Sequence, residues 1–382
     1  MGTKKQLNVF IDGYLLNKEP QGTTTYIKEL YKEVAIMNPE IQFFIGYFED
    51  RSIKKEFIGI ENLIFIHYKN KSRVFRMTYE IPKLIKTQNI DFAHFQYVIP
   101  LIKNKKCKYI TTIHDILFND FPSYFSVIYR LKRNFLFRQS AKNCDYLLTV
   151  SNYSKQAIKS KYKLNNKKIY ITPNGVNKTF FKPYDKEKSK KIIKEKYGFD
   201  DFVLYVSRVE PRKNQELLLR SYLETELDKT SAHLVFIGAN SINNLDFQKL
   251  LYNLDINKKK KIHYYEKIPP KDLMTFYQAA KLFIYPSKAE GFGIPPLEAG
   301  ALKIPVLCSN STAMKPYIFF KPYLCDPNNE SVYIKKFKEF IEHYSSIDLD
   351  FIQKEIKKQY SWSKSAKILT SIFKNNLEET KA

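Results

Sequence analysis

The sequence predicts an α/β protein made of two doubly wound domains, each with a parallel sheet and helices on both faces. Three observations favour this fold class. Short apolar segments alternate with longer segments of helical periodicity, the alternation stops at a polar stretch, and it then restarts. The length of 382 residues suits two domains, and 44% hydrophobic residues suffice for two cores.

The first domain is expected to span residues 1–175. The apolar run Leu7–Ile11 ends in Asp12-Gly13 and predicts a first strand and turn. The segment Thr23–Met37 carries apolar residues at helical spacing and predicts the first helix. Further strands are expected at Gln42–Phe48, Leu63–Tyr68, Phe92–Gln96, Tyr109–His114, Tyr146–Ser151 and Lys168–Thr172.

The second domain is expected to span residues 176–360. The polar stretch Asn177–Lys196, interrupted by Pro183, predicts a linker followed by the first helix of this domain. The strand Phe202–Val206 and the helix Asn214–Thr225 then restart the alternation. Later strands are expected at His233–Gly238, Ile262–Tyr265, Leu282–Tyr285 and Pro305–Cys308.

The chain is strongly basic, with a net charge of +25 from 64 Lys+Arg against 39 Asp+Glu. This balance favours an anionic partner such as a membrane surface or a phosphorylated substrate, although a lysine-rich composition alone explains it equally well. No nucleic-acid-binding motif is found, so nucleic acid is not expected as a partner. The four cysteines lack C-x-x-C spacing, and no signal peptide or run of about 18 apolar residues is visible. These features predict a cytoplasmic protein without disulfides.

The segment from Leu282 to Cys308 is the most informative. After the strand, Glu290-Gly291-Phe292-Gly293-Ile294 leads into a helix that is expected to start near Pro295. The glycines let the backbone approach a ligand, and a helix N-terminus can hold a phosphate. Glu298 follows about one turn later, so two carboxylates flank this helix start. Their positions would let them accept hydrogen bonds from the hydroxyls of a sugar and of a ribose. An ordinary strand–loop–helix connection with two surface acids is the alternative.

A second basic segment follows the strand Phe202–Val206. It contains Arg208, Arg212 and Lys213 directly before a helix. Arg208 and Lys213 are suited to clamp a diphosphate, because arginine offers a planar fork and lysine a point charge. A solvated basic turn is the alternative.

Two further candidates lie in the first domain. His114-Asp115 follows a predicted strand, which suits a polar contact or a proton carrier, although a lone histidine is more often structural. Gly22-Thr23-Thr24-Thr25 is predicted as a loop that either binds phosphate or caps the first helix. Because ligands of such sheets bind beyond the carboxyl ends of the strands, two domains facing each other would share a central cleft.

Together these segments resemble the retaining glycosyltransferases of family 4, which have the GT-B fold, and the bacterial mannosyltransferases among them. The resemblance covers almost the whole chain. Its most specific part is Glu290-x7-Glu298 with the intervening Gly291-Phe292-Gly293, followed by Ser207-Arg208 to Lys213-Asn214. It also implies that a C-terminal helix, about residues 361–382, packs back on the first domain.

The resemblance implies a role for each site residue. In the second domain, Glu290 contacts the transferred sugar near its 3- and 4-hydroxyls and Glu298 accepts hydrogen bonds from the ribose. Arg208 and Lys213 stabilise the leaving diphosphate. The remaining donor-binding positions are Gly22, Gly291, Phe292, Gly293 and Ile294, and His114 lies near the sugar's 6-position on the acceptor side.

The activity implied is transfer of a hexose, with retention and without a metal or other cofactor, from a nucleotide-sugar to a glycan or lipid-linked acceptor in surface polysaccharide or lipopolysaccharide synthesis. Mannose from GDP-mannose is the first candidate. Two alternatives remain: a catalytically silent binding protein with a basic surface, and another GT-B enzyme such as a nucleotide-sugar epimerase.

Basic and apolar residues are interleaved along the predicted helix Phe125–Lys142. This pattern suits peripheral binding to the anionic inner face of a membrane. The alternative is that the apolar side packs on the sheet and the cations are solvated. The apolar set is Val127, Ile128, Leu131, Phe135 and Leu136, and the basic set is Arg130, Lys132, Arg133, Arg138 and Lys142.

Overall fold

The computed structural model describes residues 6–16, 22–48 and 51–379, without the side chains of residues 51–52 and 376–379. Two compact units divide the chain. The first comprises Met1–Gly175 and Ser361–Ala382, and the second comprises Val176–Tyr360.

The first unit is built on a seven-stranded parallel sheet in the order β3-β2-β1-β4-β5-β6-β7. Five of these strands are nearly continuous runs of buried residues, as expected for a parallel sheet covered on both faces. The strands are β1 (Leu7–Asp12), β2 (Ile41–Tyr47), β3 (Leu63–His67), β4 (Phe92–Gln96), β5 (Lys108–Thr112), β6 (Tyr146–Thr149) and β7 (Ile169–Ile171).

Helices cover this sheet, and the first of them begins at Gly22. Its buried face includes Tyr26, Ile27 and Leu30, which recur at helical spacing. A π-helical turn, Arg76–Glu80, joins the third and fourth helices. The helices are α1 (Gly22–Met37), α2 (Arg51–Lys55), α3 (Arg73–Phe75), α4 (Ile81–Thr87), α5 (Val127–Asn143) and α6 (Asn152–Tyr162).

The second unit has a six-stranded parallel sheet in the order β10-β9-β8-β11-β12-β13. Its strands are β8 (Phe202–Val206), β9 (His233–Ile237), β10 (Ile262–Tyr265), β11 (Leu282–Tyr285), β12 (Val306–Ser309) and β13 (Leu324–Cys325). Its helices are α7 (Lys186–Tyr197), α8 (Gln215–Glu224), α9 (Leu245–Tyr252), α10 (Ile256–Lys259), α11 (Pro270–Ala279), α12 (Ile294–Ala301), α13 (Glu330–His343) and α14 (Leu349–Gln359).

All twelve strands expected from the sequence are present, most with ends shifted by one or two residues. One further strand, β13, was not predicted from the sequence, because it is only two residues long and its residues show no periodicity. The prediction of a loop at Gly22–Thr25 is wrong, because these residues form the first turn of α1. All four cysteines are buried and free. None of the described helices is long and apolar enough to cross a membrane.

The C-terminal helix α15 (Trp362–Glu379) packs against α1 in the first unit. The Phe373 ring is fully buried, with its centroid 5.1 Å from that of Phe92 and 6.4 Å from that of Phe43. The Asn38 side chain of the α1–β2 turn donates a hydrogen bond of 2.9 Å to Thr370 Oγ1. The last helix therefore completes the core of the first unit rather than that of the second.

We expect Phe373→Ala to destabilise the first unit by about 3–5 kcal/mol, since it removes a fully buried ring. The neighbouring Lys374→Ala is the matched control, because Lys374 is exposed and should change stability by about 0.5 kcal/mol or less. Chemical denaturation followed by circular dichroism measures both. Equal effects of the two substitutions would show that α15 is not part of the core.

Candidate functional site

Glu290 lies in the loop between β11 and α12, at the carboxyl edge of the second sheet, and is buried. Its Oε1 atom is 2.5 Å from Lys213 Nζ and accepts a hydrogen bond of 2.8 Å from the Tyr285 hydroxyl. Its Oε2 atom is 3.4 Å from Arg212 Nη1. One carboxylate is therefore held by two cations and a phenol.

The charge state of Glu290 follows from these contacts. Burial acts to raise the pKa of the carboxyl, but the Lys213 and Arg212 charges outweigh it and lower the pKa to about 2. The same burial lowers the pKa of Lys213. Glu290 is thus an ionised carboxylate in a nearly water-free setting, where electrostatic interactions are strong.

The loop around Glu290 is fixed by hydrogen bonds to its backbone. Thr312 Oγ1 accepts from Glu290 N at 2.8 Å and donates to Glu290 O at 3.1 Å. Arg212 Nη1 donates to Ala289 O at 2.7 Å. The side chain of Asn214, a residue with a φ of 60°, donates to Pro286 O at 3.2 Å. The carboxylate is therefore positioned in advance of any ligand.

Gly293 connects this loop to α12. Its φ of 93° lies in the left-handed region, and a Cβ atom there would come within 2.9 Å of the Met314 side chain, so only glycine fits. The Tyr317 hydroxyl donates to the carbonyls of Phe292 and Gly293, at 2.6 and 3.2 Å. The helix begins at Ile294. Because Pro295 and Pro296 have no N–H, the backbone donors at this helix start that can bind an anion are the N–H groups of Gly293 and Ile294.

Glu298 lies in the second turn of α12 and differs from Glu290 in its surroundings. The Tyr277 hydroxyl donates a hydrogen bond of 3.0 Å to Glu298 Oε2. Burial without a nearby cation raises the pKa of this carboxyl to about 7. The two glutamates predicted to flank the helix start thus have opposite pKa shifts, and both can accept hydrogen bonds from hydroxyl groups.

The cations of the basic segment after β8 differ in their surroundings, and their contact with a diphosphate stays a prediction. Lys213 is buried against Glu290, but the second cation there is Arg212, not Arg208. The Arg208 side chain is 48% exposed, and its Nη2 atom is 3.2 Å from Glu210 Oε1. Glu210 Oε2 in turn lies 2.8 Å from Arg212 Nε. Sequence reasoning did not identify the contact of Arg212 with Glu290, although Arg212 is one of the three cations of the run.

His114 lies in the first unit, two residues after β5, and is buried. Its Nε2 atom is 2.7 Å from Gln96 Oε1, and its ring packs against those of Tyr26 and Tyr97. Burial lowers the pKa of His114 to about 3. An imidazole that is uncharged at neutral pH suits a polar contact better than a proton carrier.

Gly22 is exposed at the start of α1, and the residues directly before it are outside the described ranges. The neighbouring threonines already have partners: Thr24 Oγ1 donates to Leu15 O at 3.2 Å, and Thr23 Oγ1 is 3.4 Å from the Tyr97 hydroxyl. Phosphate contact at Gly22 stays a prediction. Across the described residues, no group of three or more His, Cys, Asp or Glu side chains is arranged to hold a metal ion.

The helix α5 exposes an apolar row to solvent. Val127, Ile128, Leu131 and Phe135 are 59–79% exposed, so these side chains do not pack on the sheet. Leu136, expected in the same apolar set, instead packs partly buried against the core. The face of α5 that turns inward is formed by Phe137, Ser140 and Ala141.

Comparison with protein families gives two matches. The model described as "Glycosyl transferases group 1" matches residues 174–367, about half of the chain, and "Glycosyltransferase Family 4" matches residues 20–180. The first match contains the Glu290 cluster and α12, and the second contains His114 and Gly22.

Two curated relatives are mannosyltransferases by name. The O-antigen chain mannosyltransferase RfbU of Salmonella typhimurium is 30% identical over 215 residues, which is 56% of this chain and 54% of the relative. The O-antigen chain mannosyltransferase B of Escherichia coli is 26% identical over 329 residues, 81% of this chain and 84% of the relative. The first alignment therefore spans only about half of each protein.

Solved structures show the same fold at low sequence identity. Sucrose-phosphate synthase from Thermosynechococcus elongatus matches with a TM-score of 0.74 and 14% identity, covering 98% of this chain and 100% of that one. Anabaena HepE in complex with UDP-glucose matches with a TM-score of 0.68 and 14% identity, covering 96% and 99%. WaaG, a glycosyltransferase involved in lipopolysaccharide biosynthesis, matches with a TM-score of 0.66 and 14% identity, covering 96% and 99%.

The Glu290 cluster predicts a specific acid sensitivity. Because the folded-state pKa is below the ordinary value of 4.5, Glu290 stabilises the fold above pH 4.5, and this contribution is lost as the pH falls toward 2. We expect Glu290→Gln to remove that part of the pH dependence. It should also lower stability at pH 7 by about 3–5 kcal/mol, because Lys213 is left buried without its counter-charge.

Melting temperatures between pH 2 and pH 7 measure this effect. Glu187→Gln is the control, since Glu187 is an exposed glutamate of the same unit. If the melting temperature of Glu290→Gln depended on pH in the same way as that of the wild type, the buried ion pair would be contradicted.

Proposed function

Because this chain belongs to the glycosyl transferases group 1 family and is a glycosyltransferase with the GT-B fold, we propose that it transfers a hexose from a nucleotide-sugar, with retention of configuration. The acceptor is a glycan or lipid-linked glycan of a surface polysaccharide. The observation that carries the proposal is the buried, ionised Glu290 beside the start of α12. Mannose, from GDP-mannose, is the first candidate because the relatives named above are mannosyltransferases.

Glu290 is proposed to bind the transferred sugar. Its Oε1 atom is occupied by Lys213 and Tyr285, whereas Oε2 has Arg212 at a longer distance of 3.4 Å. A carboxylate has about four lone-pair positions, so Oε2 can still accept a hydrogen bond from a sugar hydroxyl. Because the carboxylate is already fixed, such a contact costs little reorganisation when the sugar binds.

The diphosphate is proposed to lie between the N-terminus of α12 and the basic segment. The backbone N–H groups of Gly293 and Ile294 and the partial positive charge of the helix suit phosphate oxygens. Arg208 is half-exposed, so its guanidinium can reach a ligand. Lys213 is buried beside Glu290 and adds positive charge without direct contact with the ligand. Glu298 is proposed to accept hydrogen bonds from the ribose.

These parts suffice for a retaining transfer. The bond from the anomeric carbon to the diphosphate oxygen breaks, and the acceptor hydroxyl oxygen forms its bond on the same face. The leaving phosphate oxygen takes the proton of that hydroxyl. Positive charge from Arg208 and Lys213, with the N–H groups of Gly293 and Ile294, stabilises the negative charge that develops on the leaving group, and the proposal needs no metal for this step.

Two other functions remain to be separated from this one. A catalytically silent binding protein with a basic surface would release no nucleotide, and an epimerase of the same fold would change the sugar without needing an acceptor. The ordered charges around Glu290 favour a transferase over a silent protein, because burying three ionised side chains without a ligand to bind is costly.

A donor screen tests the proposed function directly. We expect one nucleotide-sugar, GDP-mannose first, to release its nucleotide in excess EDTA and faster with a glycan acceptor present. At a temperature at which circular dichroism shows both variants to be folded, Glu290→Gln should remove this turnover, whereas Glu187→Gln should retain it. Turnover that stops with EDTA and returns with Mg²⁺ would contradict the metal-independent mechanism. Full turnover in the Glu290→Gln variant would contradict the role of Glu290.

Arg208 tests the stabilisation of the leaving group. We expect Arg208→Ala to lower kcat by about 10²–10³-fold, the usual effect of removing one preorganised donor, with little change in melting temperature. The control is Arg220→Ala, because Arg220 is an arginine of the same unit with 49% exposure against 48% for Arg208. A rise in KM with unchanged kcat would make Arg208 a binding residue only.

We also propose that the exposed row of α5 (Val127, Ile128, Leu131 and Phe135) brings the enzyme to an anionic membrane surface that carries its acceptor. Lys132, Arg138 and Lys142 are exposed on the same helix. Apolar side chains that enter the headgroup region and cations that attract acidic lipids together suit such a surface. Each cation contributes roughly 1 kcal/mol near an acidic bilayer.

Flotation with liposomes tests this surface. We expect binding to vesicles with acidic lipid at low salt, and loss of binding at high salt or in neutral vesicles. Ile128→Ser with Leu131→Ser should weaken it at least tenfold. Ile256→Ser, at an exposed position of the second unit, should not. Equal binding by all variants would place the contact elsewhere.

A further inference from the structure

A cavity of about 540 Å³ lies at the amino edge of the second sheet, at the other end of the strands from Glu290. Its walls come from the start of α7, from the residues directly before β8, β11 and β12, and from the segment between α13 and α14. A strand of four or five residues is roughly 15 Å long, so this cavity is separate from the Glu290 cluster. It lies within the second unit alone.

Four lysines line the cavity, and three of them are paired with carboxylates. The pairs are Lys190–Glu187 at 2.9 Å, Lys281–Asp201 at 3.2 Å and Lys303–Asp350 at 2.5 Å, measured from nitrogen to oxygen. The remaining lining carboxylate, Asp200, is 2.9 Å from Lys194, which lies outside the cavity. The nearby carboxylates are therefore already neutralised, and the fourth lining lysine, Lys186, is left over.

Lys186 is the first residue of α7, and its ammonium group has no partner. It forms no ion pair or hydrogen bond with any residue that the structure describes. The preceding carboxylate, Asp185, caps the helix by accepting a hydrogen bond of 3.0 Å from Lys188 N. Burial, and then the positive charge of Lys190, lowers the pKa of Lys186. The first turn of a helix also disfavours a cation, so a bound anion would offset three unfavourable terms.

The kind of cation in the cavity indicates the kind of anion. The charges of Lys190 and Lys281 both act on Lys186, so these three ammonium groups are close to one another. Lysine is a compact point charge that suits the several oxygens of a phosphate, whereas a carboxylate is bound best by the planar fork of an arginine. None of the described residues that line the cavity is an arginine.

One wall of the cavity is apolar. Pro305, which is buried, and Leu349, which is partly buried, form it, and Tyr344 and Ser345 add hydroxyl groups. An inorganic ion would leave this wall in contact with water, whereas an organic group attached to the phosphate would cover it. The volume is within the usual range for sites that hold small organic ligands.

We propose that this cavity binds a small phosphorylated molecule, whose phosphate group lies among the ammonium groups of Lys186, Lys190 and Lys281. Its organic part lies against Pro305 and Leu349. The site goes beyond the proposed sugar transfer, because it uses none of the residues assigned to the donor.

Isothermal titration calorimetry with ribose 5-phosphate tests the site, and ribose is the uncharged control. We expect the wild type to bind ribose 5-phosphate and not ribose. Lys186→Gln should weaken this binding at least tenfold. Lys191→Gln should leave it unchanged, since Lys191 is an exposed lysine of the same helix outside the cavity. Equal weakening in both variants would show general attraction to a basic protein and would overturn the inference.

The proposed diphosphate site at α12 can also bind phosphate, and Arg208→Ala separates the two sites. We expect Arg208→Ala to retain the binding of ribose 5-phosphate that Lys186→Gln loses. The reverse pattern would place the phosphate at α12 and overturn the inference, while the proposed function would stand. Failure of every nucleotide-sugar in the donor screen would refute the proposed function and leave the result at Lys186 standing.

The apolar wall gives a further readout. We expect the wild type to prefer ribose 5-phosphate over inorganic phosphate, and Leu349→Ser to reduce this preference at least threefold without changing the affinity for inorganic phosphate. Circular dichroism at the titration temperature checks that each variant is folded. Equal affinities of the wild type for the two ligands would overturn the organic part of the inference. Absence of binding of both ligands to the wild type at millimolar concentration would overturn all of it.

Discussion

The buried ion pair between Glu290 and Lys213 is the constraint on which the second unit's site depends. Removing a carboxylate and an ammonium from water costs several kcal/mol for each ion, and only close, well-directed contacts offset that cost. Arg212, Tyr285 and the hydrogen bonds of Thr312 provide these contacts. The loop therefore has little freedom, and Gly293, with a φ of 93°, connects it to the start of α12.

The arrangement links binding to charge stabilisation through shared side chains. Glu210 contacts both Arg208 and Arg212, so the exposed arginine is tied to the buried cluster through one carboxylate. A ligand phosphate at Arg208 would share the guanidinium with Glu210, and a sugar at Glu290 would share the carboxylate with Arg212. Each ligand group thus meets a partner that is already oriented by a protein contact, which keeps the reorganisation on binding small.

The sequence was sufficient for the architecture and for part of the site. Twelve strands and the start of α12 were predictable because parallel strands are apolar runs and because proline and glycine mark the helix start. The role of Arg212 was not predictable, since a run of three cations does not say which side chains turn inward. The exposure of Ile128 was not predictable either, because apolar residues have the same spacing on a helix whether they pack on a sheet or face a membrane.

The two units bury different kinds of polar group at the positions predicted from the sequence. Around Glu290 the groups are ionised, and their charges stabilise one another. Around His114 they are neutral: Gln96, Tyr26 and the uncharged imidazole exchange hydrogen bonds or ring contacts without net charge. An ionised carboxylate is a strong acceptor for hydroxyl groups, whereas neutral groups make polar contacts without attracting ions. The two clusters are thus held together by different physical terms, charge pairing in the second unit and neutral hydrogen bonding in the first.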